Sequence, residues 1–138
     1  MVNTAQVTLE TRGNAQILDI TPHLHDALED LDVTEGVLHV FLPGSTAALT
    51  TIEAEPGAIA DLRAAIERLA PADIPYKHNE TAHDDNGHSH VRAALIGPSL
   101  TIPISEGALV LGAWQQAVLI DFDTEPRTRT LVCTAVGE

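Results

Sequence analysis

The spacing of apolar residues predicts two helices in the first half of the chain. One helix is indicated after Pro22 and a second between Pro56 and Pro71, because leucine and isoleucine recur there every three or four residues. The residues of the two stripes are Leu24, Leu28, Leu31, Ile59, Leu62, Ile66 and Leu69. We expect both stripes to face a common core.

The other apolar runs have the length and composition of β-strands. Residues 6–11 and 16–20 alternate apolar and polar positions around a short Gly-containing turn, which predicts an opening hairpin. Further strands are predicted over residues 37–42, 47–52, 91–96, 100–104, 109–111, 117–122 and 128–136. Because strands and helices do not alternate regularly, the sequence predicts an α+β fold. We expect one domain over residues 1–138, mainly antiparallel and β-sandwich-like, with two modest helices.

Length and composition favour a compact domain. The chain has 138 residues, of which 44% are hydrophobic, enough to bury a core. No apolar stretch reaches the roughly 18 residues of a membrane span, and the N-terminus lacks the pattern of a secretory signal, so a cytoplasmic location is expected. Cys133 is the only cysteine and lies in a strand-like run, which indicates a buried structural thiol.

The chain is strongly acidic. Twenty Asp and Glu residues face seven Lys and Arg residues, giving a formal net charge of -13. This charge disfavours nucleic acid as a partner, and no membrane partner is expected. Lys77 is the only lysine, and the excess of carboxylates is typical of proteins from salt-loving organisms, although an ordinary acidic protein has the same sign of charge.

Residues 76–90 gather four of the seven histidines, His78, His83, His88 and His90. If residues 91–96 form a strand that begins near His88, then His88 and His90 point to the same side. His78 would supply a third imidazole, with His83 as a substitute, and the fourth position would stay open for water or substrate. The pattern predicts a divalent metal, with zinc the best fit. The alternative is a solvated loop with surface histidines.

Several short motifs along the chain resemble a known family. They are Phe41-Leu42-Pro43, Thr46-Ala47-Ala48-Leu49, Tyr76-Lys77-His78-Asn79, Asn86-Gly87-His88-Ser89-His90, Leu109-Val110-Leu111-Gly112-Ala113-Trp114-Gln115 and Pro126-Arg127-Thr128-Arg129. In order and spacing the chain is similar to the YjbQ-like, or secondary thiamine-phosphate synthase, family over nearly its whole length. The resemblance implies a homotrimer with a pocket near subunit contacts.

The chain departs from the family pattern at one position. Family members usually carry a histidine directly after the proline of the Phe-x-Pro motif, whereas this chain has Gly44, followed by Ser45. If that histidine is a ligand or proton carrier, its absence alters or removes the activity. Gly44 is also compatible with a simple change of turn shape.

The candidate substrate-binding residues lie in the last third of the chain. Arg127 and Arg129 fall on one strand face and are predicted to hold a phosphate through forked hydrogen bonds. The alternative is that they pair with nearby carboxylates, those of Asp121, Asp123 or Glu125. Trp114 and Gln115 are candidates for stacking on and hydrogen bonding to a flat heterocycle, although a lone tryptophan is more often a core or interface anchor.

Three polar residues are candidates for catalytic roles. Glu53 is a possible base, and Asn79 and Ser89 are placed to orient substrate or water.

Three functions remain open from the sequence. The family name implies a transferase that joins a pyrimidine diphosphate to a thiazole phosphate and releases pyrophosphate, acting on phosphorylated small molecules. A second possibility is a metal-dependent hydrolase. The third is a non-catalytic trimeric protein that binds a metal or small ligand. Whether the chain is an enzyme is therefore undecided at this point.

Overall fold

The computed structural model describes residues 1–138, which form two antiparallel sheets and four helices. The elements are β1 (Val2–Thr11), β2 (Gln16–Asp19), α1 (Thr21–Leu31), β3 (Gly36–Phe41), β4 (Ala47–Ile52), α2 (Pro56–Leu69), α3 (Lys77–Thr81), α4 (Gly87–Ile96), β5 (Ser99–Ser105), β6 (Ala108–Leu109), β7 (Gln116–Asp121) and β8 (Arg127–Gly137). One sheet has the order β1-β8-β3-β5-β6 and the other has the order β2-β7-β4. The mixed α+β class is confirmed, with four helices instead of the two predicted.

The three-stranded sheet is the central layer. Its β7 is buried on both faces, with residues 117–120 inaccessible to solvent. On one side it shares a core of 19 buried residues with α1 and the inner face of the five-stranded sheet. On the other side it packs against α2 and α4 through a smaller cluster that includes Ile66 and Ala93. Burial on both faces explains why the predicted strand over residues 117–122 is continuously apolar.

The two helices predicted from apolar stripes are present. They are α1 and α2, and the buried residues of α1 include Leu24, Leu28 and Leu31. Helix α2 begins at Pro56, where the Glu55 carboxylate accepts hydrogen bonds from the backbone N–H groups of Gly57 and Ala58. None of the four helices is long and apolar enough to cross a membrane.

The predicted opening hairpin is wrong. Strand β1 pairs along its whole length with β8, whereas β2 pairs with β7 in the other sheet. Gly13, Asn14 and Ala15 all have positive φ angles, of 81°, 54° and 64°. This run redirects the chain, and a Cβ at Gly13 would lie 2.4 Å from the carbonyl oxygen of Asp123. The turn therefore carries the chain from one sheet to the other.

The strand predicted over residues 91–96 is also wrong, because this segment is the body of α4. Successive residues of a helix are rotated by about 100°, so residues two apart point in nearly opposite directions. The premise that His88 and His90 share a strand face therefore fails.

A buried polar network joins the two sheets where their strands end. Asp121, at the end of β7, is fully buried and accepts hydrogen bonds from Arg129 Nε at 2.7 Å and Arg129 Nη2 at 3.0 Å. The Thr11 hydroxyl also donates to Asp121, at 2.6 Å. Arg129 Nη2 donates to the Thr46 hydroxyl, which donates to Asp123. The network therefore links the ends of β1, β7 and β8 with the segment before β4.

Replacing Asp121 with Ala is expected to destabilise the fold strongly. The change leaves the Arg129 guanidinium buried without its carboxylate, which typically costs about 3–5 kcal/mol. Thermal or urea unfolding measures the loss.

Arg127→Ala is the matched control for this prediction. The Arg127 side chain is 50% exposed and pairs with Asp123, and exposed pairs contribute about 0–1 kcal/mol. Equal destabilisation by Asp121→Ala and Arg127→Ala would show that the buried network does not hold the sheets together.

Candidate functional site

His78 and His90 form a close imidazole pair. His78 lies in α3 and His90 in the first turns of α4, and their ring centroids are 4.4 Å apart. His78 Nε2 lies 3.0 Å from Asn86 Oδ1. Because a carbonyl oxygen only accepts, His78 Nε2 donates in this bond.

The turn between α3 and α4 is held by Asn79 and Gly87. Asn79 Oδ1 accepts a hydrogen bond from the backbone N–H of Gly87 at 2.9 Å. A Cβ at Gly87 would lie 2.5 Å from the Cβ of Tyr76, so only glycine fits there. The short loop therefore brings α3 back onto the N-terminal end of α4. In this structure Asn79 orders the loop that positions the histidine pair.

His90 lines a pocket of about 220 Å³ between α4 and the loop that precedes β4. Its lining residues are Gly44, Ser45, Ala47, His90, Ala93, Ala94 and Pro98. Enclosed sites for drug-sized ligands measure roughly 300–1,000 Å³. This pocket therefore accommodates only one end of such a ligand.

The Arg129 side chain extends from β8 to the loop at Gly44, which precedes β4. It is 9% exposed, and its Nη1 makes no hydrogen bond within the protein. A Cβ built at Gly44 would lie 3.1 Å from this Nη1, its one contact within 4 Å outside residues 43–45. Gly44 has a φ of +126°, in the region that favours glycine. Gly44 therefore lies directly beside the buried guanidinium of Arg129.

Most of the hydrogen bonds donated by Arg127 and Arg129 go to carboxylates, as in the alternative prediction for these two residues. Arg129 pairs with Asp121, and Arg127 Nε donates to Asp123 at 3.1 Å. Burial opposes ionisation of Asp123, but hydrogen bonds from Thr46, Arg127 and the Glu125 backbone outweigh it and hold the pKa of Asp123 below its usual range. Asp123 is therefore a stable anion near neutral pH. Nη1 is the one nitrogen of the Arg129 guanidinium that has no hydrogen-bond acceptor.

His88 lies apart from the other two predicted metal ligands. It is buried, with its ring centroid 6.2 Å from that of Tyr76, and its Nδ1 has no hydrogen-bond partner. Burial, assisted by the nearby charge of Arg92, holds the pKa of His88 below its usual range. His88 is therefore a neutral buried side chain in the packing between α4 and Tyr76.

The predicted three-histidine metal site is not assembled. No group of three or more His, Cys, Asp or Glu side chains is placed to hold one ion. His78 and His90 supply two imidazoles, whereas reactive zinc sites have three protein ligands. The residues present therefore do not fit the predicted zinc centre.

The other candidate residues are spread over three places. The Ser89 hydroxyl is buried and donates to the carbonyl oxygen of Phe122, so it anchors α4 to the central sheet. Glu53 and Trp114 line a separate open groove, and Trp114 is 77% exposed. Gln115 Nε2 donates to the Thr51 hydroxyl in a neighbouring depression. None of these four side chains lines the His90 pocket.

Two supporting residues escaped the sequence analysis. Thr46 connects Arg129 to Asp123 below the pocket. Arg92 is buried in α4, donates to the carbonyl oxygen of Ala70 at 2.9 Å and pairs with Glu67. The sequence signal for Arg92 was its position inside an apolar run. A basic residue in such a run is expected to be buried, and a buried arginine requires a partner.

Stability is expected to fall as the pH is lowered below about 6.5, the usual histidine pKa. His88 takes up a proton in the unfolded chain at a higher pH than in the folded protein, so acid favours unfolding. His88→Gln removes this contribution, and its melting temperature should fall less between pH 7.5 and 5.5 than that of the wild type. Exposed His25 provides the control, since His25→Gln should keep the wild-type dependence. Identical curves for all three proteins would contradict the assignment.

Comparison with known proteins places the chain in a family. The model of the family described as UPF0047 protein YjbQ-like matches residues 5–138. A UPF0047 protein from Archaeoglobus fulgidus is 35% identical over 131 residues, covering 95% of this chain and 99% of that protein. Another from Methanothermobacter thermautotrophicus is 34% identical over 137 residues, covering 99% and 94%.

Solved structures agree with this placement. The crystal structure of a hypothetical protein from Aeropyrum pernix K1 is 34% identical, with a TM-score of 0.91 and 99% of each chain covered. A YbjQ-like protein of unknown function from Sulfolobus solfataricus P2 is 27% identical, with a TM-score of 0.90 and 100% of each chain covered. The chain therefore belongs to the UPF0047, YjbQ-like family.

Proposed function

We propose that the His90 pocket binds a phosphorylated small molecule and that the chain acts as a thiamine-phosphate synthase-like transferase. The observation that supports the site is the meeting of three features, the His78–His90 pair, the Gly44 loop and the buried Arg129. Nucleophile and leaving group in such a reaction both carry phosphate, and a pocket lined by an imidazole, with a guanidinium beside its Gly44 loop, suits them. The transferase class itself rests on the family resemblance.

The proposed reaction breaks one bond and forms one. The carbon–oxygen bond to the diphosphate of the pyrimidine breaks, and its electron pair leaves with pyrophosphate. The thiazole nitrogen forms a new bond to the same carbon. Hydrogen-bond donors fixed near the departing diphosphate stabilise its developing charge, a contribution that is large in a preorganised site. His90 is the side chain that lines the pocket and is able to donate there.

The two other functions have less support. Metal-dependent hydrolysis needs a metal-bound water, and only two imidazoles come together here. A non-catalytic binding protein is compatible with Gly44 in place of the family histidine, since the pocket remains. Turnover distinguishes these possibilities.

His90→Ala is expected to reduce pyrophosphate release from a pyrimidine diphosphate and a thiazole phosphate by about 100-fold or more, the range for loss of one donor that stabilises developing negative charge. Exposed His25→Ala should keep wild-type turnover. If hydrolysed pyrimidine forms without the coupled product, and a chelator abolishes its formation, the result would favour the metal-dependent hydrolase. Absence of turnover in the wild type would favour the binding protein.

We also propose a homotrimer, because one sheet face is uncovered and nearly uncharged. This outer face lies on the side of the five-stranded sheet away from α1, and its residues are Val2, Thr4, Gln6, Thr8, Glu10, Val37, His39, Phe41, Ser99, Thr101, Pro103, Ser105, Thr128, Thr130, Val132, Thr134 and Val136. Glu10 is the only Asp, Glu, Lys or Arg among them, in a chain with 27 such residues. A nearly uncharged face on so acidic a protein favours contact with another copy over exposure to water. The resemblance implies that three copies assemble.

Phe41→Asp is expected to break the trimer by placing charges within the subunit contact. Light scattering should give three times the 14.7 kDa protomer mass for the wild type and a smaller mass for the variant. Leu95→Asp is the control, because Leu95 is an exposed apolar residue on α4, away from the outer face. A monomeric wild type would refute the proposal, as would a trimeric Phe41→Asp variant.

A further inference from the structure

We infer that Gly44 opens a subsite for a single phosphoryl group, formed by Arg129 Nη1 and the backbone N–H groups of Gly44 and Ser45. The inference rests on the proposed function, because it assigns one end of the phosphorylated ligand to one wall of the His90 pocket. It also makes Gly44 a specificity-determining residue of this chain.

The free edge of Arg129 is fixed in position. Three of its hydrogen bonds, from Nε and Nη2 to Asp121 and from Nη2 to Thr46, hold the guanidinium plane. Nη1 alone is left without an acceptor. A guanidinium held by other contacts loses little conformational entropy when it binds an anion. The buried network therefore preorganises one donor for a ligand.

Gly44 leaves the space in front of that donor open. A Cβ at residue 44 would lie 3.1 Å from Nη1, which is its one contact within 4 Å outside residues 43–45. The side chain of any other residue would therefore lie against Nη1. Gly44 lines the pocket and Arg129 lies behind it, so the ligand oxygen reaches Nη1 past the Gly44 backbone. Glycine at residue 44 thus leaves open an approach to Arg129 that a side chain would block.

The Gly44 loop adds backbone donors to the same wall. Gly44 and Ser45 line the pocket, and neither backbone N–H donates to an acceptor within the protein. Successive free N–H groups in a bend form a concave anion-binding surface, and guanidinium–phosphate hydrogen bonds are charge-assisted. A phosphoryl group has enough acceptor oxygens for all three donors.

The local charge balance determines how tightly this subsite binds. Asp121 neutralises Arg129, and the chain as a whole carries a charge of -13. Binding therefore depends on directed hydrogen bonds instead of on a general positive potential. We expect weak but localised phosphate binding that is lost when the three donors are blocked.

Inorganic phosphate titrated into the wild-type protein by calorimetry, at constant ionic strength, tests the subsite. We expect one phosphate per protomer. Gly44→Ala should bind phosphate about tenfold more weakly or worse, the loss typical of one hydrogen bond to a charged group. Gly107→Ala is the control for backbone strain. Gly107 also has a positive φ, of +76°, but its Cβ would meet only Thr34 Cγ2 at 3.9 Å, so wild-type binding should persist.

A second measurement needs no variant. In ¹H–¹⁵N spectra of the wild type, phosphate should shift the backbone amides of Gly44 and Ser45 more than those elsewhere. Absence of phosphate binding, shifts centred elsewhere, or equal affinity in Gly44→Ala would each overturn the subsite. These outcomes leave the proposed transferase to be decided by turnover in the wild type and His90→Ala, so the two failures are distinguishable.

Discussion

The buried pair between Arg129 and Asp121 is the interaction on which the site depends. A guanidinium and a carboxylate removed from water are tolerated only when they are paired and well hydrogen bonded. Thr11, Thr46 and the Asp123 backbone N–H supply further hydrogen bonds to the pair, and only Arg129 Nη1 is left without an acceptor. Because these groups come from both sheets, the hydrogen bonds to Arg129 and Asp121 fix how the strand ends of the two sheets are placed relative to each other. The same requirement fixes the loop before β4 and aims the free edge of Arg129 at Gly44. In the proposed function, stability and ligand recognition share this network.

Helix α4 provides the other half of the site, and it divides the histidines between two tasks. His90 faces the pocket and contacts His78, whereas His88 is buried beside Tyr76 and Arg92. Because His88 and His90 are two residues apart on a helix, they point in different directions and cannot bind the same metal or ligand. The histidine-rich segment thus has one histidine packed in the interior and one at the proposed site. In the proposal, the loop at Gly44 and Arg129 supply the other hydrogen bonds to the ligand.

The elements that were predicted well are those whose signal is local. Pro56 and the leucine and isoleucine stripe define α2, and the long apolar run at residues 117–122 marks a strand buried on both faces. Residues 91–96 were misassigned because a short apolar run fits a strand or a buried helix equally, although Ala93 and Ala94 favour a helix. The pairing of β1 with β8 joins residues more than 100 positions apart, and no local pattern specifies it. The proposed site depends on that long-range arrangement. The sequence therefore drew attention to Gly44, His78, His90 and Arg129 but did not show that they lie together.

The central claim is that the loop at Gly44, His90 and the free edge of Arg129 form one ligand site. A crystal structure of the protein grown with pyrophosphate tests it most directly. The account predicts one phosphoryl group within hydrogen-bond distance of Arg129 Nη1 and the Gly44 and Ser45 N–H groups, with His90 beside it. Pyrophosphate bound elsewhere, for example in the groove at Glu53 and Trp114, with the His90 pocket filled only by water, would contradict it.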